Sequence, residues 1–437
     1  MEVNGLRVTV FGMGKSGRAT VDLLKAHGAV VRASDVKTTA ELPGLGVEFV
    51  PQGSAALENC DLAVLSPGVP PNQPMFEDAA RRGVKIVGDV EAASWFLRGP
   101  ILGITGANGK TTTTALVGHL LQTAGIACQV GGNIGTPVAA MVESSRDDQW
   151  NVLELSSFQL ETSDTLHVKI AAALNVTPDH LDRHGSFENY AAAKARIFRN
   201  QTASDFAVLN AENEPTVRYA ALTQARVHWF HAGATVKPGF YRQDDQLMAD
   251  GVPFLAVPEV KLRGRHNLEN ILAAACAAHL AGAPLESLGG GVLSFPGVEH
   301  RIEFVRTVNG TAYYNDSKAT NVDATVKALE SFDRGLWVIL GGKDKNSDYT
   351  VLRGLLRDRA KAVLLIGAAA EKIATHLGDC VRLEQCGDLA HAVALAHREA
   401  LPGDTVLLAP ACASFDQFSG YEQRGRVFKQ LVSALEN

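Results

Sequence analysis

Of 437 residues only six are cysteine, and Cys60, Cys128, Cys276, Cys380, Cys386 and Cys412 stand apart with no Cys-x-x-Cys pair. That spacing argues against a zinc ribbon or a disulfide framework and favours a reducing compartment. Aromatic residues make up only 6% of the chain. Long apolar runs are missing too. The greasiest, ILAAACAAHLAGA at 271–283, is too short to cross a bilayer and contains His279. The opening MEVNGLRVTVFG carries Glu2, Asn4 and Arg7 where a signal peptide needs an apolar stretch. Nor is there an excess of positive charge. Forty-one Lys and Arg against 47 Asp and Glu give −6, which excludes a generally basic nucleic-acid binder but not a local basic pocket. The expectation is a cytoplasmic monomer that binds no nucleic acid and inserts into no membrane.

What the chain does have is glycine (41 residues) and apolar residues (46%), enough for packed cores joined by tight turns. At roughly 150 residues per domain, its length suggests about three domains. Short β-branched runs alternate with helical patterns: 7–11, 30–34, 61–66 and 84–88, then 101–105, 126–130, 151–156, 170–176 and 206–210. A third series follows at 311–316, 336–342, 362–367 and 405–410. Strands separated by helices predict an α/β fold of wound parallel sheets. Between 225 and 262 the pattern loosens into what reads as a small antiparallel insert, and a helix is predicted over 267–282. The expected domains are 1–97, 98–297 and 298–437.

Two glycine loops stand at strand-to-helix junctions. Gly12-x-Gly14-x-x-Gly17 follows the first strand, and Asp35 ends the next, which is the dinucleotide-binding fingerprint in its required context. It points to a nucleotide without saying which, so a nicotinamide dehydrogenase and a ligand-free turn both stay open. The second loop, Gly106-Ala107-Asn108-Gly109-Lys110-Thr111-Thr112, opens an apolar helix. Its backbone N–H groups and Lys110 suit the phosphates of ATP or GTP, with the Thr111 hydroxyl on Mg²⁺. It is a shortened P-loop, because Ile104 stands where the strict pattern has its first glycine.

Glu154 and His180 lie at two further strand ends of the same series, where Mg²⁺ would take oxygen ligands and at most an occasional nitrogen. Lys194 sits on the apolar face of the helix SFENYAAAKARIFRN, seven residues after Phe187 and three before Ile197. A lysine there either snorkels to water or is desolvated toward the site with its neutral amine favoured. A neutral amine can add CO₂ to give a carbamate, an anionic oxygen donor. In the third series His300-Arg301, Asp316-Ser317-Lys318, Lys343-Asp344-Lys345 and Cys412-Ala413-Ser414 concentrate cations suited to anionic ligands. Each alone is weak, since Asp-Ser-Lys can simply cap a helix.

In this order GANGKTT, GGNIG (131–135), LELSSFQLE (153–161), LNVTPDHLDRHG (174–185), YAAAKARIF (190–198), GRHNLEN (264–270), HRIEF (300–304), NDSKATN (315–321), LGGKDK (340–345) and PACASFDQF (410–418) run through the chain. The series resembles the Mur ligases of peptidoglycan synthesis over essentially the whole length, and most closely the branch that adds D-glutamate. The resemblance implies three α/β domains: Rossmann-like for a UDP-sugar, P-loop for ATP, and Rossmann-like for the amino acid. It implies ligation of D-glutamate to UDP-N-acetylmuramoyl-L-alanine through an acyl phosphate, giving ADP and phosphate, with two Mg²⁺ ions.

The first glycine loop is thereby reassigned from a dinucleotide to UDP. Gly14, Lys15, Ser16, Asp35, Val36 and Lys37 would surround the uridine end, with Ser66 near the diphosphate. Asn133 and His180 would meet the muramoyl-alanine portion. Lys110, Thr111, Glu154, His180 and a carbamylated Lys194 would hold ATP phosphates and Mg²⁺, with Lys110, His180 and Lys194 catalytic. Asn267, Arg301, Asp316 and Lys318 would complete the nucleotide site. Thr320, Lys345, Ser414 and Tyr421 would meet D-glutamate; Tyr421 departs from the phenylalanine expected there but keeps a ring.

Overall fold

The computed structural model describes residues 1–37, 44, 46–262 and 264–436. Contacts divide it into two compact units, Met1–Lys261 with Arg265–Phe295, and Leu262–Gly264 with Pro296–Asn437. The first unit holds two sheets and the second holds one.

The first sheet contains β1 (Arg7–Phe11), β2 (Val30–Asp35), β3 (Glu48–Pro51), β4 (Leu62–Leu65) and β5 (Lys85–Gly88) in the order β3-β2-β1-β4-β5, all parallel. Its side chains alternate between two cores, as strand geometry requires. Val8, Val10, Leu62 and Val64 enter one core, and Phe11, Ala63 and Leu65 the other. The order reverses at β1, so the Gly12 loop opens where such sheets bind ligands.

The second sheet has nine strands: β6 (Ile101–Thr105), β7 (Cys128–Gly132), β8 (Trp150–Glu154), β9 (Ile170–Ala173), β10 (Phe206–Asn210), β11 (Arg226–His231), β12 (Gly239–Gln243), β13 (Gln246–Ala249) and β14 (Val252–Ala256). Their order is β14-β13-β12-β11-β10-β9-β6-β8-β7. The stretch 225–262 is therefore no separate antiparallel insert. β11 and β12 continue the parallel sheet, and only β13 and β14 turn antiparallel at its edge. β6 lies between β8 and β9, which puts the P-loop at this sheet's own switch point. The helix Arg265–Leu280 buries an almost continuous run from Asn267 to Ala278.

A buried carboxylate ties these two sheets together. Glu91, on the helix Asp89–Ser94 that follows β5, accepts backbone N–H groups of Asp164 (2.8 Å), Thr165 (2.9 Å) and Leu166 (3.0 Å), and the Trp95 indole N–H (3.0 Å). Burial works to raise this carboxyl, but the bonds from Thr165, Asp164 and Trp95 outweigh it and hold the group below its ordinary value.

The second unit's sheet contains β15 (Glu303–Val308), β16 (Thr311–Asn315), β17 (Leu336–Gly341), β18 (Ala360–Ile366), β19 (Arg382–Gly387) and β20 (Thr405–Leu408) in the order β15-β16-β20-β17-β18-β19. All pairs are parallel except β15 with β16. The topology makes β16, β20 and β17 neighbours, so the segments after Asn315, Leu408 and Gly341 leave adjacent strand ends. No helix among the described residues is long and apolar enough to cross a membrane.

Candidate active site

The loop after β6 is shaped by two asparagines. Asn175, just past β9, accepts the Asn108 N–H on its side-chain oxygen (2.8 Å), donates to the Asn108 carbonyl (3.1 Å), and its own carbonyl accepts the Ala107 N–H (2.9 Å). Gly109 takes φ +85°, and a Cβ there would lie 2.2 Å from Asn270 Oδ1, so conformation and space both demand glycine. Asn270 in turn bonds Asn267, which is buried (3.1 Å). The helix Lys110–Thr123 starts at once, so the loop delivers a helix N-terminus together with the Lys110 ammonium. That ammonium donates to the carbonyls of Gly106 (2.8 Å) and Ala107 (2.9 Å). Thr111 is half-buried and Thr112 buried beside it.

Lys194 is only 1% exposed, on the helix Phe187–Ala195, and its Nζ reaches the Gly106 carbonyl at 2.8 Å. The nitrogen lies over the Tyr190 ring, 4.5 Å from its centre. Snorkelling is excluded by that burial. Desolvation, then repulsion from Lys110, pushes the amine well below its ordinary value, which favours the neutral form that a carbamate needs.

Glu154, at the end of β8, is 2% exposed. Its Oε1 accepts the Asn133 side-chain N–H (2.8 Å), while Oε2 has no hydrogen-bond partner. Asn133 and Glu154 are thus brought together by the GGNIG loop, whose Gly132 could not bear a Cβ within 2.4 Å of the Glu154 carbonyl. His180 stands differently. It is exposed, holds a left-handed backbone (φ 50°), packs on Phe158 (4.8 Å between centres) and lies 3.5 Å from Asp179. A non-glycine residue in that region stores strain of the kind found at functional sites. Among the described residues no group of three or more His, Cys, Asp or Glu side chains could hold a metal ion. The orphaned Glu154 Oε2 nonetheless suits Mg²⁺, which is usually held by one or two carboxylates while phosphates supply the rest.

In the first sheet, Gly17 packs so tightly that a Cβ would fall 1.8 Å from the Gly12 carbonyl oxygen, whereas a Cβ on Gly14 would meet nothing within 4 Å. The Ser66 hydroxyl donates to the Gly12 carbonyl (2.7 Å) and fixes the loop from β4. The Asp35 carboxylate accepts N–H groups of Met13 (2.5 Å) and Lys37 (2.9 Å), so it shapes the loop. Lys15 is exposed, and Ser16 bonds the buried Asp89. Asp35, Val36 and Lys37 line a pocket of about 740 Å³ together with Phe49, Gln73 and Met75, three residues the sequence did not single out.

In the second unit the cap of the helix Val322–Glu330 is Asn321, whose side chain accepts the Ala324 N–H (2.8 Å). Asp316-Ser317-Lys318 therefore does something other than cap a helix. Asp316 is fully buried with Arg301 at 4.0 Å and one oxygen unpartnered, and burial raises its carboxyl to about 6. Lys318 lies near the Tyr421 ring (5.9 Å). Ser414 is buried, Thr320 half-buried and Lys345 exposed, on the segments after β20, β16 and β17. Buried Arg424 is a residue the sequence did not single out. Its guanidinium donates to the Ser317 hydroxyl (3.0 Å) and carbonyl (2.8 Å) and to the Cys412 carbonyl (3.2 Å), joining two of these segments.

Three family models match in series: Mur ligase MurD-like, N-terminal domain over residues 6–88; Mur ligase middle domain over 104–278; and Mur ligase, glutamate ligase domain over 300–412. The chain is 56% identical over 439 residues to a UDP-N-acetylmuramoylalanine--D-glutamate ligase of Solibacter usitatus, covering 100% of this chain and 99% of the relative. A relative of the same name from Koribacter versatilis is 51% identical, with 100% and 99% covered. Among solved structures, UDP-N-acetylmuramate-alanine ligase MurC from Thermotoga maritima has a TM-score of 0.62 at 20% identity, with 98% and 99% covered. A pseudomurein peptide ligase type C from Methanothermus fervidus gives 0.59 at 16%, with the same coverage, and both likenesses speak to fold. The family models and these full-length relatives mark an ATP-dependent, amide-forming ligase. The chain belongs to the Mur ligase family.

Proposed function

We propose that the chain joins D-glutamate to UDP-N-acetylmuramoyl-L-alanine at the expense of ATP. Full-length identity of 56% to a relative bearing that activity in its name carries the reading. The alanyl carboxylate attacks the γ-phosphorus and ADP leaves, giving an acyl phosphate. The neutral amine of D-glutamate then adds to the acyl carbon, loses a proton, and expels phosphate from the tetrahedral intermediate.

Phosphoryl transfer is chiefly positioning plus charge stabilisation, which the P-loop N–H groups and Lys110 are built to give. A bound Mg²⁺ would neutralise phosphate charge, and Thr111, Glu154, His180 and a carbamylated Lys194 are the residues assigned to it. Gly106–Thr112, Asn267, Arg301, Asp316 and Lys318 are assigned to ATP. Gly14, Lys15, Ser16, Asp35, Val36, Lys37 and Ser66 are assigned to the UDP end, Asn133 and His180 to the muramoyl end, and Thr320, Lys345, Ser414 and Tyr421 to D-glutamate.

Phosphate release measured with a panel of amino acids tests the reading. Release from ATP that needs UDP-N-acetylmuramoyl-L-alanine and D-glutamate together supports it. Release driven equally by L-alanine or a diamino acid contradicts it.

A further inference from the structure

Beside Lys345 lies a chain of polar groups, two buried and two half-buried, that no step of the reaction uses. Asp344 accepts the Tyr349 hydroxyl on Oδ1 (2.7 Å) and the Lys372 ammonium on Oδ2 (2.7 Å). Tyr349 is fully buried, and its oxygen also lies 3.0 Å from the Cys412 sulfur.

The direction of these bonds follows from proton counting. Burial works to raise the Asp344 carboxyl, but Lys372, Tyr349 and the Ser347 N–H hold it well below its ordinary range, so it only accepts. The single Tyr349 proton is committed to it. The Tyr349 oxygen is then the acceptor, and the Cys412 thiol, kept protonated by burial, is the donor.

The chain thus runs from Cys412 through Tyr349 to Asp344, with Lys372 on the far oxygen of Asp344, and two of its members, Cys412 and Asp344, stand next to residues assigned to the amino acid. Asp344 precedes Lys345, and Cys412 stands two residues before Ser414. Backbone bonds from the Lys343 N–H to the Ala413 carbonyl (2.8 Å) and from the Ala413 N–H to the Lys343 carbonyl (3.2 Å) run alongside.

We propose that Tyr349 is a positioning residue for the dicarboxylate amino acid: its hydroxyl, held between Cys412 and Asp344, fixes the Lys345 segment against the Ser414 segment. The proposal rests on the assignment of Lys345 and Ser414 to D-glutamate. A cation and a hydroxyl that meet one ligand must be held to within about 0.5 Å, and packing alone leaves an exposed lysine looser than that.

Steady-state kinetics of the full chain with UDP-N-acetylmuramoyl-L-alanine, ATP and D-glutamate test it. Tyr349→Phe removes one oxygen and is expected to raise the D-glutamate KM about tenfold, the scale of one misplaced charged hydrogen bond. The ATP KM and the kcat at saturating D-glutamate should stay within about threefold. Cys412→Ser keeps a donor and should behave as the unaltered protein, whereas Cys412→Ala should shift the D-glutamate KM in the same direction as Tyr349→Phe.

A lower melting temperature with an unchanged D-glutamate KM would overturn the proposal, as would all three KM values rising together. If Tyr349→Phe fails to fold, Lys372→Met at its half-exposed position carries the same expectations. Lys345→Ala separates this idea from the reading beneath it. If that variant raises the D-glutamate KM and Tyr349→Phe does not, the positioning role falls and the assignment stands. If Lys345→Ala leaves the KM unchanged, the assignment falls and takes the proposal with it.

Discussion

Lys110 and Lys194 donate to one and the same oxygen, the carbonyl of Gly106, each at 2.8 Å. Two ammonium groups on one acceptor repel, and Lys194 is the one without water. Its neutral amine is therefore favoured, and conversion to a carbamate would turn the repulsion into attraction toward Lys110.

Lys194→Ala is accordingly expected to lower kcat by a hundredfold or more, about the cost of losing one preorganised electrostatic group. Lys194→Arg should fail as well, because a guanidinium stays cationic. A small carboxylate at high concentration should restore part of the activity of Lys194→Ala. Near-normal turnover with unaltered Mg²⁺ dependence in Lys194→Ala would make the lysine a packing residue.

Glu91 gives a stability prediction free of catalysis. Glu91→Ala strands several buried donors and is expected to cost about 3 kcal/mol. Because the folded carboxyl lies below its ordinary value, its contribution is complete above the unfolded-state range and fades as pH falls through the folded value. Thermal melts should show the gap between the two proteins widest near neutral pH and narrowing in acid. An unchanged gap would count against the carboxylate's role.

Asp316 has the opposite sign. Its carboxyl rises from 3.8 to about 6 on folding, so between those values the folded state binds more protons and stability falls as pH rises. Asp316→Asn is expected to stabilise the ligand-free protein above pH 6, by roughly 2–3 kcal/mol from the size of that shift, while activity drops. Melts and phosphate release on one preparation check both halves. Lower stability at neutral pH would contradict the raised carboxyl, and unchanged activity would contradict the assignment to ATP.

The two glycines of the first loop should separate. Gly17→Ala drives a Cβ into the Gly12 carbonyl and is expected to unfold the loop. Gly14→Ala meets nothing in the protein, so it should leave the melting temperature unchanged and raise the KM for the UDP substrate alone. Equal effects on stability would mean that Gly14, too, serves packing.

The legible parts of the molecule were those with a period or a fixed junction. Lys194 was visible because a lysine broke an apolar helical stripe, and the three strand ends of the second unit because wound sheets deliver loops to one edge. Three strands went unread: β3, β15 and β19 are all edge strands, and apart from buried Val308 their residues are exposed or half-exposed and carry no long apolar run. Residues joined only in space were also out of reach. Tyr349 meets Cys412 across 63 positions, and Arg424 meets Ser317 across 107. In sequence they look like a core aromatic and a surface charge.

The reaction route itself is open to one direct measurement. UDP-N-acetylmuramoyl-L-alanine labelled with ¹⁸O in the alanyl carboxylate is turned over with ATP and D-glutamate, and the released phosphate is analysed by mass. Transfer through an acyl phosphate puts one ¹⁸O atom into phosphate for each amide bond formed. Phosphate free of label, at normal turnover, would contradict that route.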